Sequence, residues 1–167
     1  MNNKKQKYKF SLIQYRKDER IVELVNKTNK KTLAVWAIDC TKRVLPYFEK
    51  KYPKDYRLRN GIETLQTWIN NGVFKMAIIR KASLDAHAAA REVGEDNAAR
   101  SAARAVGQTV ATTHVKTHSI GAAIYVLQAI HRAAKYSDAY TAVAKEREWQ
   151  YQHLLSLREK LSHKEEI

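Results

Sequence analysis

The stretch DNAARSAARAVGQTVATTHVKTHSIGAAIYVLQAIHRAAKY, residues 96–136, decides the fold. Alanine is the best helix former, and here it recurs as Ala98-Ala99-Arg100 and Ala102-Ala103-Arg104, echoing Ala88-Ala89-Ala90-Arg91 just upstream. This is small-residue helix surface with arginine at its edge, not a solenoid repeat. Gly107, Ala111, Gly121 and Ala122 extend it. Small residues at four-residue spacing let helix backbones approach closely. The helices of residues 75–93 and 96–134 are therefore expected to form a tightly packed centre.

Inside this stretch lie His114 and His118, four residues apart. On an uninterrupted helix they share a face. Alternatively Lys116 sits in a break and a new helix starts at Thr117 or His118, whose free N–H groups are capped or hold a small anion.

Outward from this centre the apolar residues keep helical steps. RKDERIVELVNK places Ile21, Leu24 and Val25 on one stripe. TLAVWAIDCTKRVLPYFEKKYP carries Leu33, Trp36, Ala37, Cys40, Val44, Leu45 and Phe48, with Thr32 as the expected N-cap and Pro46 as the expected kink. RLRNGIETLQTWINNG gives Leu58, Ile62, Leu65 and Ile69, and stops at Asn71-Gly72. KMAIIRKASLDAHAAAREVG stops at Gly94, and Glu95 and Asp96 open the next helix. Ser137-Asp138 starts a last long helix. The expected fold is all-α: one domain over residues 1–167, a compact bundle of about six to seven helices, with a basic arm at 1–16 and a frayed tail at 162–167. Only 5 glycines and 2 prolines among 167 residues argue against a turn-rich β protein.

The single cysteine, Cys40, forms no internal disulfide and no Cys-x-x-Cys, which suits a reducing cytoplasm. No apolar run approaches a membrane span, and MNNKKQKYKF lacks the apolar core of a secretory signal. The formal net charge of +14 attracts nucleic acid, anionic membrane or an acidic protein. It is uneven. Up to Lys31 ten lysines and arginines face three carboxylates, and from Thr41 to Arg59 seven face two. The second segment is a candidate basic patch: Lys42, Arg43, Lys50, Lys51, Lys54, Arg57 and Arg59. KQKYKF and YPKDYRLR interleave cations with tyrosine, as phosphate contact and base stacking require.

His87, in LDAHAAAR, joins His114 and His118 as a conceivable three-histidine cluster, and a catalytic zinc needs three protein ligands and an open position. The sequence neighbours give it no support: there is no His-Glu-x-x-His and no carboxylate beside either later histidine. Hydrogen-bonded packing is the plainer reading. Cys40, with Asp39 and Arg43 in the same turn, has no histidine near it to act as base and reads as core. No phosphate loop, dinucleotide fingerprint or nucleophile elbow is present. No metal and no cofactor is expected. On the last helix, Tyr140, Trp149 and Tyr151 are candidate interface aromatics, Trp149 reading equally well as core.

LAVWAIDCTKRVLPYFEKKYPKD, RNGIETLQTWINNG, LDAHAAAREVG and ARSAARAVGQTVATTHVKTHSIGAAIYVLQA together resemble the small all-helical immunity proteins of bacterial polymorphic toxin systems. The likeness runs from about Thr28 to Tyr151. It implies packed helices and a cytoplasmic, non-enzymatic role: neutralising a cognate toxin by binding it. The characteristic positions fall on Trp36, Asp39, Cys40, Arg43, His87, Arg91, Arg104, His114 and His118. Of these, His87, His114, His118, Arg91, Arg104, Asp39 and Trp36 are the candidate pocket or interface residues. This chain departs from the pattern at Leu58 and Lys116, where proline is common. Because immunity proteins against nucleases are commonly acidic, a +14 chain implies a toxin with an acidic surface, or an interface away from the Lys-rich end. Two other readings stand beside this one: a nucleic-acid-binding protein using residues 1–31 and 41–59, and a histidine-centred metal or enzyme site.

Overall fold

The structure, a computed structural model, describes residues 18–134 and 138–165. The basic arm at 1–16 lies outside the described residues. Among the described residues there are eight helices and no strand: α1 (Glu19–Asn26), α2 (Lys30–Lys42), α3 (Leu45–Glu49), α4 (Arg57–Asn71), α5 (Met76–Glu92), α6 (Ala98–Ala111), α7 (His118–Ala133) and α8 (Ala139–Glu165). The all-α class stands, with more helices than the six to seven expected. The last helix runs to Glu165, past Ser162, where the expected tail begins.

The extra helix comes from Pro46. The expected kinked helix is two helices. α2 ends at Lys42, and Pro46 sits in the first turn of α3. There its missing N–H breaks no helical hydrogen bond, so the ring starts a helix instead of bending one. The cap of α2 is also corrected. Asn29, not Thr32, is the N-cap; its Oδ1 accepts from the Thr32 backbone N–H at 2.8 Å and from the Thr32 hydroxyl at 2.9 Å. Gly72 and Gly94 end their segments in left-handed backbone, at φ 70° and 72°, which costs glycine nothing.

α6 is the hub. It packs against α2, α3, α4, α5 and α7. Five neighbours fit because its surface is small: Ala99, Ala102, Ala103, Ala105, Val106, Gly107 and Val110 are all buried. The expected Ala-rich centre is present. Larger side chains fill the space around it, with Trp36, Leu33, Phe48, Leu58, Leu65, Leu127 and Leu154 fully buried. Thr41 of α2 and Thr109 of α6 satisfy each other's buried hydroxyls at 2.7 Å, as polar groups out of water must. Among the described residues no helix is long and apolar enough to cross a membrane.

Candidate functional site

α6 ends at Ala111, and a new helix begins at His118. Of the two readings of the THVKTH stretch, the break is the observed one. Thr117 is the N-cap of α7 but makes no side-chain capping bond.

The break and the hub place three histidines along one face. His87 comes from α5. Its Nδ1 accepts from Nη1 of Arg104 on α6 at 3.0 Å. A guanidinium only donates, so Nδ1 carries the lone pair and His87 is neutral with its proton on Nε2. Burial, then the positive charges of Arg104, Arg91 and His118, push its pKa down to about 4. Nδ1–H of His118 donates to the side-chain Oε1 of Gln108 at 2.7 Å; burial and then His114 lower its pKa. His114 sits edge-on to Phe74, ring centroids 5.5 Å apart. Contacts and charges thus link Phe74, His114, His118, His87, Arg104 and Arg91 into a strip over the α5, α6 and α7 surface. Each histidine has a separate partner. Among the described residues no group of three or more His, Cys, Asp or Glu side chains is arranged to hold a metal ion.

Two glycines make room for these polar groups. A Cβ on Gly107 would stand 2.5 Å from His87 Nε2, and one on Gly121 would stand 2.8 Å from Gln108 Oε1. The expectation that these glycines serve close backbone approach is corrected at both positions: they clear space for an imidazole and an amide.

His87 makes stability pH-dependent. Its folded pKa lies below the ordinary 6.5, so the unfolded chain binds the proton first. The stabilisation is fully present above about pH 6.5 and is lost as pH falls through about 4. Urea midpoints at about pH 7 and about pH 5 should therefore differ more for the unmodified chain than for His87→Gln. Equal differences would mean that His87 is not held neutral.

Trp36 and Asp39 do not join this strip. They lie on α2 and face α8. Trp36 Nε1 donates to the Gln150 carbonyl at 2.9 Å. Asp39 Oδ2 lies 2.8 Å from His153 Nε2. The His153 ring stacks on Trp149 at 4.8 Å, the Arg43 guanidinium carbon lies 3.9 Å over Trp149, and Arg43 Nε donates to Glu146 at 2.8 Å. This ladder clasps α2 to α8. Cys40 is buried beside it as part of the core, and burial first, then Glu146 and Asp39, push its thiol pKa well up. Sequence reasoning missed Glu146 and His153. Their signal was present: with Trp149 and Gln150 they keep three- and four-residue steps along α8.

The basic patch is largely paired within the chain. Arg43 holds Glu146, Lys51 meets Glu95, Arg57 holds Asp55 and Glu92, and Arg59 holds Glu49. Lys42, Lys50 and Lys54 have no carboxylate partner among the described residues. Of the candidate interface aromatics, Tyr140 is exposed beside His131, while Trp149 and Tyr151 lie beneath Arg43 and Arg20.

A second feature went unread in the sequence. Val73, Phe74, Met76, Ile78 and Val115 are between 42% and 54% exposed. The first four lie on the turn into α5 and its first residues, and Phe74 brings His114 and its neighbour Val115 alongside. Clustered exposed apolar side chains on a folded surface mark a contact site more often than scattered ones do. Lys75, Arg80 and Lys116 stand among them in sequence with no carboxylate partner among the described residues, whereas Lys81 pairs with Asp85.

Residues 23–157 match the family described as "Imm-5 like putative immunity protein", and the chain belongs to that family. The match spans α2 to α7 and reaches into α1 and α8, so it takes in the histidine strip, the apolar cluster and the α2–α8 ladder. No curated protein and no solved structure matches the chain.

Proposed function

We propose that this chain neutralises a toxin by binding it, without catalysis, and does so in the cytoplasm, where Cys40 stays reduced. The observation that carries the reading is the run of exposed apolar side chains Val73, Phe74, Met76 and Ile78 at the start of α5, with Val115 next to His114, which touches Phe74, in a chain of an immunity family. Its occupant is a protein with an apolar spot and carboxylates around it. The apolar contact supplies affinity, and Lys75, Arg80 and Lys116 select an acidic rim. This resolves the tension between a +14 chain and a toxin partner without the Lys-rich end. A nucleic-acid reading has less behind it, since four of the seven patch cations already hold carboxylates.

Binding to the purified cognate toxin tests the proposal. Phe74→Ala and Ile78→Ala should each raise Kd about tenfold, the loss of one partly buried apolar anchor. They should leave the unfolding midpoint close to that of the unmodified chain, because both side chains are exposed. Unchanged affinity in both variants would move the interface elsewhere, and no binding to the toxin by the unmodified chain would remove the function.

A further inference from the structure

We propose that Arg104, oriented by His87 and flanked by Arg91 and His118, is a receptor for a small oxyanion, a carboxylate or phosphate group. The inference goes beyond the toxin-binding reading and does not depend on it. Its starting point is a contrast among the arginines. Arg20, Arg43, Arg57, Arg59, Arg100 and Arg132 each hold a carboxylate. Arg104 holds an imidazole nitrogen instead. A lone pair on neutral His87 fixes the direction of the guanidinium and cancels none of its charge. Burial and the surrounding cations keep that histidine neutral, so it cannot become a competing donor at neutral pH.

Among the described residues no carboxylate pairs with Arg104. The charged groups acting on His87 are Arg104, Arg91 and, when protonated, His118; none is a carboxylate. The two carboxylates nearest in sequence on α5 are engaged elsewhere, Asp85 with Lys81 and Glu92 with Arg57. A guanidinium has five N–H donors in a planar fork. The bond to His87 is the one hydrogen bond Arg104 makes among the described residues. The free donors match the paired oxygens of a carboxylate or phosphoryl group. Half-burial of Arg104 thins the competing water and strengthens such a bond. Gly107 completes the arrangement, since the His87 ring that aims the guanidinium occupies the space of its missing side chain.

The test is a nuclear magnetic resonance titration of the full chain at neutral pH and fixed ionic strength, with inorganic phosphate in one arm and acetate in the other. The Arg104 Nε–H and His87 ring nitrogen resonances should shift and saturate, with Kd on the order of 1 mM. Saturation with one probe alone assigns that ligand class. Arg104→Gln should abolish the saturable shift, Arg104→Lys should weaken it because the fork is lost, and Arg59→Gln should leave it intact. Saturation by neither probe overturns the proposal. So does a linear drift shared by Arg104→Gln, which is the response of a generally cationic surface. If Arg104→Gln fails to fold, the unmodified chain still decides: saturable shifts confined to other cations, such as Lys42 and Lys50, overturn it. No toxin is present in these measurements, so their failure leaves the toxin-binding reading standing.

Discussion

Trp36→Ala is expected to lower the unfolding free energy by about 3–5 kcal/mol, the range for truncating a large buried aromatic. Trp36 is fully buried on α2, and its indole N–H is bonded to the Gln150 carbonyl of α8. The truncation therefore opens a cavity and removes the second hydrogen bond of a carbonyl that keeps its own helical bond. The loss adds to an existing one, since among the described residues the side-chain Oε1 of Gln150 is buried without a partner. Trp36→Phe separates the two effects. It keeps most of the apolar volume and removes only the donor, so its expected cost is about 0.5–1.5 kcal/mol, the net worth of one hydrogen bond. Urea unfolding of both variants checks the values. Hydrogen exchange adds the location: amides of α8 should lose more protection than those of α5, since α8 docks on α2 and α7 while α5 rests on α4 and α6. A loss under about 1 kcal/mol for Trp36→Ala would mean that the α2–α8 contact carries little of the fold's stability.

The helices were legible because amphipathic periodicity records which face is buried. Ile21, Leu24 and Val25, or Leu58, Ile62 and Leu65, fall inside as their spacing requires. Their ends were less so. Asn29 and Thr32 are both good capping residues three apart, and either satisfies the composition rule; the structure uses Asn29 as the acceptor and Thr32 as its donor. Pro46 is compatible with a kink or a start, and only the docking of α3 on α6 selects the start. The seven candidate site residues split between two places because a sequence gives spacing within a helix and not the rotation of one helix against another. His87 and Arg104 are brought together by that rotation, as are Asp39 and His153. The apolar cluster was illegible for another reason. VFKMAII has the same hydrophobicity whether its side chains face a core or water, and a folded surface carries much apolar area. Ile79 is buried while Ile78 beside it is exposed, a difference that packing alone decides.

Gly107→Ala should reverse its sign with the state of residue 87. In a helix interior alanine is favoured over glycine by about 1 kcal/mol, and Gly107 lies well inside α6. With His87 in place, the added Cβ would meet its Nε2 at 2.5 Å. The imidazole must then leave its position, which costs about 1–3 kcal/mol of overpacking and about 1.5–3 kcal/mol for the lost bond to the charged Arg104. These exceed the helical gain, and Gly107→Ala is expected to destabilise the chain by at least about 1 kcal/mol. In a His87→Ala background neither penalty applies, and the same substitution should stabilise by about 1 kcal/mol. A double-mutant cycle on unfolding free energies measures the coupling directly. Stabilisation by Gly107→Ala in both backgrounds would show that His87 swings aside without cost. In that case the bond to Arg104 would not be holding the guanidinium in place, and the oxyanion receptor would lose the orientation it depends on.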